Sequence, residues 1–119
     1  MDTRAAILFF QETLQRAQRK SGAWGYRGNQ ASVETTCLAI LAIRRHGAFE
    51  TSRAVRLLED LQNPNGSWPG FAGDDKDGCW ATALAAFTLM AARSDKKHLM
   101  PAIDWLLKAR GREANWLWR

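Results

Sequence analysis

Apolar residues alternate between two patterns along this chain. In residues 3–18, Ala6, Phe9, Phe10, Leu14 and Ala17 fall on one stripe, with Arg, Glu and Gln on the other. That three-to-four spacing is the mark of an amphipathic helix. Residues 52–61 repeat it with Ala54, Leu57, Leu58 and Leu61, and residues 98–109 with Met100, Ile103, Leu106 and Leu107. Pro101 lies near the expected first turn of the last segment, where proline is tolerated. Between these segments, residues 32–45 and 79–93 are apolar on nearly every side and rich in alanine, so they are expected to be buried all round. The alternation predicts an all-α fold of helical hairpins, each with an outer amphipathic helix and an inner buried one. Ala39, Ala42, Ala85 and Ala86 would let inner helices approach closely, giving a curved two-layer wall.

The connecting segments repeat as well. Residues 18–24 and 62–68 both read Gln-x-x-x-Gly-x-Trp, through Gln18, Gly22 and Trp24 and then Gln62, Gly66 and Trp68. A decayed third copy ends at Trp116, with Arg110 in place of the Gln and Ala114 in place of the Gly. After the first two loops, residues 36–43 line up with residues 82–89, each opening on Thr. Self-similarity at such a period marks a repeat architecture. The expected units are residues 2–46, 50–93 and 97–119 of a single partial domain, 1–119, about two and a half hairpins. In each loop the Gln amide can hold backbone groups left open at a helix terminus. The Gly supplies a positive φ for the reversal, and the Trp buries its ring while its N–H seeks a carbonyl. These motif residues read as structural.

Composition narrows the function. The chain has 119 residues, a net charge of +5 and six tryptophans. Its basic residues are dispersed, with pairs such as Arg44-Arg45 and Lys96-Lys97 at expected helix ends, and its tryptophans occupy repeat slots, so a nucleic-acid platform is not indicated. Two cysteines, Cys37 and Cys79, make no disulfide framework, which favours a reducing, cytoplasmic setting. The apolar run at residues 5–10 is too short for a transmembrane segment. No phosphate loop, nucleophile elbow or metalloprotease motif is present.

The loop motif, followed by a Thr/Ala/Leu-rich helix, resembles the QW repeats of squalene–hopene and oxidosqualene cyclases. That group shares an α/α toroid with protein prenyltransferase β subunits. Residues 24–27, 32–36 and 65–71 look most like bacterial prenyltransferase/squalene-oxidase-repeat proteins. The resemblance spans essentially the whole chain and implies a partial α/α toroid; it says less about activity.

Candidate chemistry gathers in the acidic loop before the second inner segment, at Asp74, Asp75 and Asp77. Triterpene cyclases carry Asp-x-Asp-Asp as a general acid; the order here is Asp-Asp-Lys-Asp, and Lys76 favours ionised neighbours. The competing reading is a solvated loop with Asp77 near a helix N-terminus. Asp77-Gly78-Cys79 also resembles the Asp-x-Cys that binds zinc in protein prenyltransferases, where a later His completes the site. Neither His46 nor His98 stands in the matching repeat position, so the sequence favours Cys79 as a small packed residue and no cofactor. Glu34, opening the first inner segment, reads equally as an N-terminal charge or a cavity-lining residue. Family rings close with more hairpins than this chain supplies, so a missing C-terminal half, self-association or another partner is expected to cover the open end. The favoured reading is a repeat domain, not catalytic alone, whose apolar inner face takes an isoprenoid-like ligand or a partner chain. The alternatives are an incomplete terpene cyclase or prenyltransferase, and a helical interaction scaffold.

Overall fold

A computed structural model describes residues 2–25, 30–45, 50–74 and 76–109. The described chain is all-helical: α1 Thr3–Ala17, α2 Val33–Ile43, α3 Ser52–Asp60, α4 Ala81–Ala91 and α5 Lys96–Lys108. Capping residues set several of the starts. The Asp2 carboxylate accepts from the Ala5 amide, the Ser32 hydroxyl from Thr35, and the Asp95 carboxylate from Lys97, each satisfying a donor that a helix leaves open. α2 lies along α4, α1 and α3 pack on α2, and α5 packs on α4. The buried core runs through this inner pair, with Ile40, Ile43, Ala85 and Leu89 fully enclosed. The outer–inner alternation read from the hydrophobic pattern is thus the packing scheme of the fold.

Trp24 and Trp68 occupy the same structural slot. The Trp24 indole N–H donates to the Leu14 carbonyl at 2.8 Å, and the Trp68 indole to the Leu58 carbonyl at 2.7 Å. Both acceptors lie in the last turn of an outer helix. The amide that would normally reach each of them bonds one residue later instead, Gln18 to Gln15 and Gln62 to Glu59. The indole therefore satisfies a carbonyl that the helix end abandons, from inside the core. On its other side, the Trp24 amide donates to the Thr36 hydroxyl at 3.0 Å and the Trp68 amide to the Thr82 hydroxyl at 2.9 Å. One residue so ties the end of an outer helix to the start of the following inner helix. The same ten-residue spacing separates Leu106 from Trp116, which lies outside the described residues.

The rest of the motif is duplicated too. The Gln18 amide donates to the Gly22 carbonyl at 2.9 Å and the Gln62 amide to the Gly66 carbonyl at 3.0 Å. Gly22 and Gly66 have φ of 98° and 94°, the left-handed region that side chains resist. Each also touches the next outer helix. A Cβ on Gly22 would press on the Arg53 backbone carbonyl, and one on Gly66 on the Pro101 carbonyl. The glycine thus turns the chain and lets consecutive repeats meet backbone to backbone.

Three expectations need correction. α5 begins at Lys96, so Pro101 sits in its second turn, leaving the Lys97 carbonyl without its usual amide partner. On α1 the expected stripe is not the buried one: Phe10 is 64 % exposed, while Gln11 is buried and donates to the Ala42 carbonyl at 3.2 Å. The repeat register explains it. Ala54 and Ala102 hold the position of Phe10 and are fully buried in helices that pack on an inner helix preceding them in the chain. Among the described residues α1 has only the following inner helix to face. Finally, α2 and α4 are not enclosed on every side, since Leu38, Phe87 and Met90 are half exposed.

Trp68→Phe should cost about 1–3 kcal/mol in urea unfolding, the usual penalty for stranding a buried acceptor, and Trp68→Ala about 3–5 kcal/mol. Equal, near-zero costs for both would refute the indole–carbonyl tie. Gly66→Ala should cost about 3 kcal/mol, combining left-handed strain with a backbone collision. Gly73→Ala, at φ 83° in open space, should cost only about 1 kcal/mol; thermal melts of the two variants compare them directly.

Candidate functional site

The uncovered side of the inner helices is the most distinctive surface of the chain. α2 and α4 are packed by outer helices on one side, and their free stripes lie away from those helices. On α4 this stripe runs through Trp80, Ala83, Phe87 and Met90 at helical spacing, with Trp80 65 %, Phe87 51 % and Met90 59 % exposed. On α2 it carries Leu38, half exposed, and Leu41, partly exposed. Adjacent exposed apolar side chains of this size make a surface suited to an apolar ligand or a protein face.

The segments leading into the two inner helices meet each other. The Val33 amide donates to the Gly70 carbonyl, and the Ala72 amide to the Ala31 carbonyl, both at 3.0 Å. The segment before α2 is thereby laid antiparallel against the segment before α4 at Ser32 and Phe71. Glu34 stands in the first turn of α2, partly exposed, where a carboxylate complements the helix pole. Asp74 is exposed, and its amide bonds the Phe71 carbonyl. Asp75 lies outside the described residues. Asp77 has an exposed side chain, and its backbone carbonyl accepts from Asn65 at 3.2 Å.

Cys79 turns inward. Its amide donates to the Trp68 carbonyl at 3.2 Å, and its thiol lies 3.6 Å from the same oxygen. Between Asp77 and Cys79, Gly78 adopts φ 97°, and a Cβ there would collide with Ser67 and with Trp105 of α5. The Asp-Gly-Cys segment is thus folded down onto the loop and α5, with the thiol against the tryptophan backbone. Among the described residues, no three His, Cys, Asp or Glu side chains gather as metal ligands. His46 is outside the described residues, and the His98 ring is engaged with Glu59 and Gln62.

Two features escaped the sequence reading. Thr36 and Thr82 align in the repeat, yet nothing in the pattern announces that their hydroxyls receive the tryptophan amides. The cluster of Glu59, Gln62, Ser94 and His98 spans three segments: the Glu59 carboxylate accepts from the Ser94 hydroxyl at 2.7 Å and lies 3.1 Å from His98 Nε2. Glu59 and Gln62 are three apart at a helix end, a usable signal, but His98 is brought to them only by the fold.

Burial pushes the Cys37 thiol up to about 11, a rise only partly opposed by its hydrogen bond to Thr88 of α4. A cysteine so buried and so far from its thiolate is a packing residue. No family model, no curated protein and no solved structure matches the chain. No helix among the described residues is long and apolar enough to cross a membrane.

At neutral pH a thiol reagent should modify Cys79 well before Cys37, with Cys37 reacting only at the global unfolding rate; peptide mapping after timed labelling reads this. Because the native Cys37 thiol ionises later than in the unfolded chain, stability should fall as pH rises from about 9 toward 11. That alkaline decline should shrink in Cys37→Ala when melting is followed across the range.

Proposed function

We propose that this chain is a prenyltransferase/squalene-cyclase-like repeat domain that binds an isoprenoid-like molecule along its apolar inner face and has no catalysis of its own. The single observation that carries this reading is the exposed stripe of Trp80, Phe87 and Met90 on an otherwise buried inner helix. A soluble helix gains nothing by leaving large apolar groups in water, so such a stripe is best understood as a surface with an occupant. The matched bonding of the two Gln-x-x-x-Gly-x-Trp loops supports the family side of the proposal.

The chemistry side is supported by what the acidic loop offers. Asp74 and Asp77 are solvent-facing, whereas a carboxyl that protonates an alkene needs an enclosure to keep it protonated and to shield the carbocation. Zinc bound by Asp77 and Cys79 would require further ligands and a thiol turned toward solvent; the thiol lies against the Trp68 carbonyl. A cytoplasmic location suits a chain with two free cysteines. A second reading, self-association or completion by a further part of a ring, is favoured by Met100, Ile103 and Leu107, an exposed apolar stripe on α5.

Farnesol titrated into the protein should quench tryptophan emission saturably, and Phe87→Asp should weaken binding by about tenfold, equivalent to about 1.4 kcal/mol. Phe87 is half exposed, so the variant keeps the fold. Absence of binding, or equal binding by the variant, rejects the inner face as the site. Consumption of the isoprenoid during prolonged incubation would instead establish an enzyme.

A further inference from the structure

The first half of α1 belongs to no core. From Thr3 to Phe10 not one residue is buried. Gln11 is the first that is, and its amide reaches the Ala42 carbonyl. Leu14 is tied through Trp24 to Thr36, so α1 and α2 run in opposite directions. α2 stops at Ile43, while α1 continues from Gln11 back to Thr3, eight residues or about 12 Å. Ile7, Leu8, Phe9 and Phe10 lie in that extension, 43, 46, 50 and 64 % exposed. Successive helical residues are about 100° apart, so the four point to all sides of one turn. The Phe9 and Phe10 rings meet edge to face, their centroids 5.7 Å apart.

We propose that this end of α1 is a reversible anchor for an anionic lipid surface, a bilayer containing phosphatidylserine. Two observations select lipid over a protein. A flat protein face covers a helix on one side, whereas a fluid apolar boundary covers every side of an inserted turn. A second copy continuing the array would bring an inner helix to the position of Ala54 and Ala102, which α1 fills with Phe10. Charge then sets the kind of lipid. Arg4 stands one turn before the apolar ring, and Arg44 and Arg45 follow the end of α2, level with the extension; all three are exposed. The carboxylates nearest along α1 are Asp2, which caps the helix, and Glu12, beyond Gln11 in the sequence. The whole chain carries +5. Apolar side chains flanked by arginines insert shallowly while the cations meet anionic headgroups. The proposal rests on α1 and not on the isoprenoid reading of the inner face.

The protein should co-sediment with mixed phosphatidylserine–phosphatidylcholine vesicles, and about a hundredfold less with phosphatidylcholine alone. Added salt should erase that preference. Phe9→Ser combined with Phe10→Ser should lower partition onto the mixed vesicles about a hundredfold, the loss expected for two buried phenyl groups. Arg44→Gln combined with Arg45→Gln should lower it about thirtyfold and leave partition onto phosphatidylcholine unchanged. All four side chains are exposed, so both variants keep the fold, which circular dichroism verifies. Phe87→Asp, on the inner face, should partition as the unaltered protein does, so this result and the farnesol titration are read separately. Failure to bind the mixed vesicles, or equal binding by the Phe9 and Phe10 variant, overturns the anchor. A dimer that depends on the two phenylalanines and ignores lipid overturns it as well, as does loss of partition in Phe87→Asp.

Discussion

An outer helix of this chain ends with a carbonyl that no amide reaches, and a tryptophan ten residues later reaches it from within the core. Every other feature of the repeat is arranged around that bond. The indole must be buried to make it, so the chain must turn sharply after the helix, and the glycine with positive φ makes the turn. The tryptophan amide must be satisfied in turn, and a threonine in the first turns of the inner helix accepts from it. Because burying a large aromatic ring is favourable only when its N–H has a partner, the polar bond and the apolar burial depend on each other. That mutual dependence makes the hairpin a unit rather than two helices in contact.

Hairpins of this kind join through their inner helices. Ala39, Ala85 and Ala86 are buried, and small side chains let α2 and α4 lie close along their length. The outer helices contribute narrower contacts, at Ala54 and Ala102, both fully buried. Phe10, in the matching position of α1, is bulky and faces water, packed by no inner helix other than α2 among the described residues.

Much of this was legible in the sequence. Helix type and order followed from period and composition, and ends fell within a few residues, because the loop motif terminates α1 and α3. Burial was harder to read. An all-apolar segment such as residues 79–93 reads as enclosed, but sequence periodicity cannot show that one stripe lacks a neighbour, which depends on how many helices surround it. The same limit hid Gln11, whose burial follows from its place in the repeat rather than from its chemistry. At the candidate site, the Asp-Gly-Cys spacing was plain, while its orientation was not. Gly78 decides that orientation by folding the segment onto Ser67 and Trp105, eleven residues before it and twenty-seven after it. His98 matches no expected ligand position in the sequence; its partners Glu59 and Gln62 are brought to it only by the fold.

The glycine contacts also bear on how such an array can change over evolutionary time. Gly22 and Gly66 touch the backbone of the next outer helix, so the pitch between neighbouring units is limited by main-chain thickness and not by side chains that could be exchanged gradually. The spacing between neighbouring units is consequently stiff to substitution. It can be altered by whole-unit duplication or deletion, but hardly by drift at the junctions, where a single methyl group would wedge adjacent units apart.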